Sequence, residues 1–534
     1  MHEVSKVQSH TDAYSIAYNE IAIAISNMKE PDVKSVKRVI KQVSAKYALP
    51  SLPKNSDILN HAGLSSYKVR KLLMVKPTKT ASGVAVVAVM PKPYACPHGK
   101  CTFCPGGVEV NTPNSYTGSE PSTQNAIAHA YDPCKQIRSK IQHLQRNGHD
   151  VSKVEVVIVG GTFLFMPDNY QRDFIKSCYD ALNGFTSSSL EEAKTSNERA
   201  SVRNVGLTIE TKPDYCKHEH IDLMLEYGAT RVEIGVQALR NEVYRITNRG
   251  HTLDDVIESF QIARDAGYKI VAHMMPGLPS SNPKQDIEDF KRLFSDPMFK
   301  PDMLKIYPTL VVENTGLFAM YKQGRYTAYT DEDLISVIVE VKKMIPKWVR
   351  IMRVQREIAA KDIIAGPKSG NLRQIVLDRL KSEGRKCNCI RCREVGLRRE
   401  ENDNDYDVNL RREEYIASDG NELFLSYEDR NRDVLFGFLR MRYPSSGAHR
   451  SEVKDCCVVR ELHVYGQALG LGTRDDISWQ HRGYGSMLMY EAERIALEEF
   501  GVKKMLVISA IGTREYYRKL GYEREGPYIS KRLQ

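Results

Sequence analysis

The chain has 534 residues, 41% hydrophobic and 27% charged, with a formal net charge of +10. That length exceeds one ordinary core, so two to four globular domains are expected. No apolar run approaches the roughly 20 residues that span a bilayer, and the N-terminus has no basic stretch leading into an apolar one with a small-residue cleavage site, so neither a membrane span nor export is expected. Eleven cysteines fall into two tight triplets plus singles, which is not a disulfide framework and points to a reducing, cytoplasmic setting. The positive charge is concentrated in two blocks. Residues 1–80 hold thirteen Lys/Arg against six Asp/Glu, and residues 350–400 hold fourteen against six. Two such blocks suit a polyanion-binding surface, with solvated helix faces as the competing reading.

In chain order, residues 1–80 read as a small helical module. Apolar residues recur at helical spacing over 13–28 and 33–47, and Lys34, Lys37, Arg38 and Lys41 fall between them as candidate nucleic-acid contacts. Residues 81–350 change grammar. Short apolar runs at 84–90, 154–159, 205–210, 231–237, 269–274 and 303–307 alternate with helical patterns at 126–145, 220–227, 253–266 and 283–294. Such alternation demands a parallel sheet, and six units suit an α/β fold, a partial (β/α)6 barrel, with ligand residues at the strands' C-terminal ends.

After the first strand comes Cys96-Pro97-His98-Gly99-Lys100-Cys101-Thr102-Phe103-Cys104-Pro105-Gly106-Gly107. Three thiolates on one centre, with glycines letting the backbone approach, suit a [4Fe–4S] cluster with one open iron; a structural zinc site is the alternative. Later strands end in Gly160-Gly161, Glu210-Thr211-Lys212, Gly235-Val236-Gln237 and Met275-Pro276-Gly277. Four ligand-ready strand ends in succession favour the cluster. These blocks resemble radical S-adenosylmethionine (SAM) barrels of the coproporphyrinogen-dehydrogenase branch, although the spacing Cys-x4-Cys departs from the usual Cys-x3-Cys. The resemblance implies that Cys96, Cys101 and Cys104 hold the cluster and that Gly160 and Gly161 meet the methionyl amine of SAM. It also implies ribose contacts from Glu210 and Gln237, with Arg249 a carboxylate partner.

Residues 351–405 form the second basic block and read as a linker without apolar periodicity. Cys387, Cys389 and Cys392 within it are expected to bind Zn2+, which would fold a segment too poor in apolar area to fold alone, with Cys216, His218, His220 and His98 as candidates for the fourth ligand. Residues 406–534 read as strands at 423–427, 434–442, 457–464 and 504–509 around a helix at 486–499. Gln480-His481-Arg482-Gly483-Tyr484-Gly485-Ser486 opens that helix and points backbone N–H groups at one spot, a pyrophosphate cradle. With the later Tyr516-Tyr517 it resembles a GNAT-type acetyltransferase. That likeness implies acetyl-CoA held by Gln480, Arg482, Gly483, Gly485 and Ser486, with Tyr517 as general acid and Tyr516 the more structural of the pair.

The combination resembles one family along almost the whole chain, the catalytic subunit of Elongator, in a form working without that complex's other subunits. Ser115-Tyr116-Thr117-Gly118 and Arg460-Glu461-Leu462-His463-Val464-Tyr465-Gly466 also carry the likeness. It implies carboxymethylation of C5 of the wobble uridine of tRNA, with the anticodon stem-loop as substrate and an external electron donor. The rival is a protein lysine acetyltransferase with a structural Fe–S barrel, for which Glu461 is the evident carboxylate base.

Overall fold

The computed structural model describes all residues except 1, 30, 62–66, 399–405 and 466–482. Six strands, β1 (Ala85–Val89), β2 (Lys153–Ile158), β3 (Arg203–Thr211), β4 (Arg231–Gln237), β5 (Lys269–Met274) and β6 (Met303–Ile306), pair in sequence order, every pair parallel. A seventh parallel strand, Arg350–Arg353, closes the row beside β6. The expected α/β partial barrel is therefore present, one strand longer. Every residue of β5 and β6 is buried, as a sheet covered on both faces requires, and for that reason these strands read as largely apolar runs.

The expected helix at 126–145 is two helices, Pro121–Ala128 and Pro133–Arg146. Asp132 caps the second through the backbone N–H of Lys135, and Pro133 takes the first helical position, where its missing N–H costs nothing. The N-terminal module packs His2–Ser26 on Val33–Lys46, burying Ala17, Ile21, Ile25, Val36, Val39, Ile40 and Val43. Lys34, Lys37, Arg38 and Lys41 are all exposed on the opposite face.

The last domain is a seven-stranded sheet ordered Val408–Ala417, Gly420–Asp429, Val434–Tyr443, Cys457–Val464, Lys504–Val507, Tyr528–Arg532, Glu523–Glu525. Its first strand escaped the sequence reading because it is an edge strand with a charged exposed face, Arg411, Arg412 and Glu414. Cys457–Val464 and Lys504–Val507 pair in parallel only over Cys457–Val459 and Met505–Val507, after which the strands part. The helix Tyr484–Glu498 starts beside that opening.

The two large domains share a core. Val458, Leu506, Ile508, Ile511 and Tyr528 of the last domain join the barrel's hydrophobic cluster. Gly267 packs against Val458 and Ile508, and Gly512 against Arg203 and the Asn204 backbone. A fully buried ion network crosses the same contact. Arg460 binds Asp302 through Nη1 and Nη2 at 2.8 and 2.6 Å and Glu422 at 2.7 Å, while Arg442 binds Asp265 at 2.6 Å and Glu422 at 3.0 Å. The last domain thus docks on the side of the barrel where β4 and β5 begin, away from the cysteine loop.

Candidate active site

The loop after β1 carries Cys96, Cys101 and Cys104, and polar groups converge on their sulfurs. Asn114 Nδ2 donates to Cys96 Sγ at 3.2 Å, the Ser115 backbone N–H to Cys104 Sγ at 3.1 Å, and Arg249 Nη1 to Cys101 Sγ at 3.4 Å. Donors of this kind stabilise thiolate and tune the potential of a bound cluster. Burial pushes the free Cys104 thiol up to about 11, so without a metal centre this sulfur stays protonated at neutral pH. Among the described residues, the cysteine sulfurs found within 4.8 Å of one another are those of the other triplet. The sulfurs of the first triplet do not all lie within that distance of one another.

The expected SAM elements meet this loop. Gly160 and Gly161 sit at φ 118° and 109°, and a Cβ on Gly160 would stand 2.9 Å from Pro113 Cβ, so only glycine fits. Gln237 lies at φ +73° with Oε1 buried and unpaired. Arg249, 6% exposed, binds the Gly235 carbonyl at 2.7 Å and leaves Nε unpaired. These unpaired groups are acceptors and donors held ready for a polar ligand. Glu210 at the end of β3 faces His273 Nδ1 at 3.7 Å, and His273 Nε2 meets Glu233 at 2.9 Å. Lys305 completes an ion pair with Glu233.

Sequence reasoning missed His273, Glu233 and Lys305, each a polar residue flanked by apolar neighbours within a buried strand. That inconsistency within a buried run was the available signal. It also missed Lys212, whose Nζ lies 2.9 Å from His98 Nδ1. Burial, then the Lys212 and Arg249 charges, lower His98 to about 4, so its ring is neutral, with Nε2 3.2 Å from Cys101 Sγ.

Cys387, Cys389 and Cys392 bring their sulfurs within 4.8 Å of one another. The segment around them is more ordered than a bare linker. The helix Leu372–Ser382 buries Leu372, Val376 and Leu380, and Cys392 lies in the one-turn helix Ile390–Arg393. None of Cys216, His218, His220 or His98 joins the group, and His98 belongs to the first loop. Instead the buried Lys342 ammonium approaches Cys387 Sγ at 3.4 Å and Cys392 Sγ at 3.8 Å. Hydrogen bonds from Cys387 and Cys392 pull Cys389 well below the ordinary thiol range.

In the last domain Gly483, at φ +80°, starts the helix, and a Cβ on Gly485 would lie 2.8 Å from the Tyr516 hydroxyl. Tyr516, expected to be structural, therefore reaches the glycine loop, where Ser486 also hydrogen-bonds it. Tyr517 is 7% exposed; its phenol is protonated, as a proton donor must be, and burial makes it a weaker acid than a free tyrosine. Gln480 and Arg482 lie outside the described residues. Glu461 changes role. Its side chain is 9% exposed and bound to Arg440 at 2.8 Å, and although burial alone would raise its carboxyl, Arg440, Lys269 and Arg231 hold it below the usual range. A carboxylate so stabilised is a poor base toward a lysine ammonium.

A half-barrel with a three-cysteine loop at its ligand end, joined to a sheet that parts beside a glycine-capped helix, defines a radical SAM enzyme fused to an acetyltransferase. Family comparison agrees: the chain matches the Radical SAM superfamily over 90–294, a Radical_SAM C-terminal domain over 301–382, the GNAT acetyltransferase family over 391–522 and the ELP3 N-terminal domain over 14–81. It is 46% identical to Elongator complex protein 3 of Dictyostelium discoideum over 98% of this chain and 96% of that one. It is 50% identical to a tRNA uridine(34) acetyltransferase of Methanocaldococcus jannaschii over 90% of this chain and 91% of that one. The solved archaeal Methanocaldococcus infernus Elp3 with an N-terminal deletion superimposes with a TM-score of 0.75 at 46% identity, covering 85% of this chain and all of that one. The chain belongs to the Elp3 family. Its radical SAM domain implies SAM and a [4Fe–4S] cluster, and its GNAT domain implies acetyl-CoA. Among the described residues, no helix is long and apolar enough to cross a membrane.

Proposed function

We propose that this enzyme modifies the wobble uridine of tRNA, using acetyl-CoA and SAM-derived radical chemistry to place a carboxymethyl group on C5. The observation that carries the reading is the state of Glu461. The carboxylate that lysine acetylation would need is held in an arginine and lysine cluster at the domain contact, whereas the cysteine loop has donors aimed at all three sulfurs. The loaded cluster and SAM supply a hydrogen-abstracting radical. The residues' part is to hold and orient. Gly160 and Gly161 open room for the methionyl amine, Glu210 and Gln237 take the ribose, and Arg249 spans from Cys101 toward the carboxylate. In the last domain Gly483, Gly485 and Ser486, with Gln480 and Arg482, cradle the pyrophosphate, and Tyr517 protonates the departing thiolate. Anaerobic incubation with tRNA, SAM, acetyl-CoA and a reductant, followed by nucleoside mass spectrometry, is expected to show 5-carboxymethyluridine. Acetate appearing on a lysine substrate, with wobble uridine untouched, would overturn the assignment.

The exposed row Lys34, Lys37, Arg38 and Lys41 holds tRNA phosphates. Affinity should fall steeply with salt, and reversing the charge at Lys37, Arg38 and Lys41 together should flatten that slope by about three phosphate contacts while leaving bound iron unchanged. A salt-independent affinity would count against this face.

Cys387, Cys389 and Cys392 supply three ligands for a structural zinc that ties the barrel's end to the acetyltransferase domain. Metal analysis of anaerobically purified protein is expected to find one zinc per chain, lost on Cys389→Ser. Zinc-free protein with all three thiols open to alkylation would refute the site. The enzyme is proposed to act in the cytoplasm with an external electron donor and without other Elongator subunits.

A further inference from the structure

The cysteine loop makes a turn that none of the expected SAM contacts uses. Between Cys96 and Cys101 the Gly99 N–H closes on the Cys96 carbonyl at 3.1 Å, with Gly99 at φ +83°. The chain after the helix Asn241–Ile246 clamps this turn. Asn248 Nδ2 donates to the carbonyls of His98 and Lys100 at 3.3 and 3.0 Å, and a Cβ on Gly250 would stand 2.4 Å from His98 Cβ. Both nitrogens of the His98 ring are engaged as well. Nδ1 lies 2.9 Å from Lys212 Nζ, and Nε2 lies 3.2 Å from Cys101 Sγ. Lys212, directly after β3, has a side chain 7% exposed and is itself held by Asp214 at 3.0 Å.

The direction of these hydrogen bonds follows from what each group can offer. A lysine ammonium has three protons to give and no lone pair, so His98 Nδ1 accepts from Lys212. The one proton of the neutral ring then sits on Nε2 and points at the Cys101 sulfur. That sulfur is served differently from its two neighbours. Cys96 takes an amide proton from Asn114 and Cys104 a backbone proton from Ser115, both uncharged donors. Cys101 takes Arg249 Nη1 at 3.4 Å together with His98 Nε2, so a guanidinium stands at one donor and an ammonium behind the other. Donors onto a ligating sulfur favour the state that carries one more electron, because that electron adds negative charge for them to meet.

Resting on the assignment of the cluster to Cys96, Cys101 and Cys104, we propose that Lys212 and His98 are positioning residues that raise the cluster's reduction potential: Lys212 fixes the His98 tautomer, and His98 donates to the Cys101 sulfur. The pair thereby eases the loading, by the external donor, of the electron that SAM cleavage consumes.

The test reads the potential and not turnover. Anaerobically reconstituted full-length protein is titrated with a reductant, and the reduced cluster is followed by its electron paramagnetic resonance (EPR) signal. At the wild-type midpoint His98→Ala should lower the ratio of reduced to oxidised cluster about tenfold, about 59 mV for one electron, with bound iron unchanged. Lys212→Met should lower that ratio in the wild-type background and add little to His98→Ala, and Lys212→Arg should restore most of it. Equal drops from Lys212→Met in both backgrounds would mean that the ammonium acts only through its charge, and would overturn the relay. A midpoint that none of these variants moves would overturn it too. Wild type answers the same question without a substitution. With the histidine nitrogens isotopically labelled, pulsed EPR of the reduced cluster should show a weak nitrogen coupling that disappears in His98→Ala. The strong coupling of a nitrogen bound directly to iron would refute the hydrogen bond and make His98 a ligand. The two readings fail separately: protein that takes up no cluster refutes the cysteine assignment and the relay together, whereas a cluster without any histidine coupling refutes the relay alone.

Discussion

Cys104→Ser is expected to abolish reductive cleavage of SAM while acetyl-CoA binding stays at the wild-type level, and Tyr517→Phe to lower acetyl-CoA turnover while SAM cleavage stays intact. Cys104 receives the Ser115 N–H and sits in the three-cysteine loop, so its hydroxyl replacement removes one of the three proposed protein ligands of the cluster. Gly483 and Gly485 lie in another domain, on a helix packed against its own sheet, and do not depend on that sulfur. Tyr517→Phe keeps the ring in its buried contacts with Tyr516 and Tyr522 and removes only the phenol proton. If that proton goes to the thiolate, acetyl-CoA turnover falls by about 10²- to 10⁴-fold with SAM cleavage intact. Neither variant should yield 5-carboxymethyluridine. Lysine acetylation predicts the opposite for Cys104→Ser, full activity, so one assay on two variants separates the functions. Because Tyr516 reaches Gly485 and Ser486, Tyr516→Phe should raise the acetyl-CoA KM with a smaller effect on kcat.

Asp302→Ala should cost about 3 to 5 kcal/mol of stability, the range for removing one partner from a buried ion pair. Asp302 accepts two bonds from Arg460, approaches Arg440 Nη1 at 3.5 Å and takes the Ile270 N–H at 2.9 Å, all without solvent contact. Its loss leaves Arg460 and Arg440 charged, buried and short of a partner, at the contact that fixes one domain on the other. Denaturant unfolding and faster proteolysis between the domains are the measurements. Arg494 offers the contrast, pairing with Glu491, Glu498 and Glu499 at 43% exposure; Arg494→Ala should leave unfolding unchanged because water screens these pairs. An equal effect of the two substitutions would sink the argument. The network also sets an acid limit. Burial alone would raise the Asp302 carboxyl, but the Arg460 and Arg440 guanidiniums hold it far below the unfolded value of about 3.9. Its contribution is therefore complete above about pH 4 and is lost as pH falls below that toward the folded value, so acid should loosen the docked domains first.

Much of this protein was legible in a local window. Parallel strands buried on both faces must be largely apolar, so six of the seven barrel strands stood out, and cysteines two to five residues apart point to a ligand loop. The seventh strand, Arg350–Arg353, was hidden because its two end residues are arginines, one of them reaching solvent at the mouth. The edge strand Val408–Ala417 was hidden by its charged face. The sequence by itself thus determined the order of domains, the three-cysteine loop after the first barrel strand, the glycines that open the helix Tyr484–Glu498 and the family. Only the tertiary structure decided what the polar residues inside those elements do. Glu461 stands near the acetyl site in sequence, yet Arg440 and the barrel's Lys269 and Arg231 occupy it. His273 meets Glu210 and Glu233, and Lys305 reaches Glu233 from 72 residues away. Such roles are set by burial and by which distant charges share a low-dielectric site, and neither is written in the residues beside them.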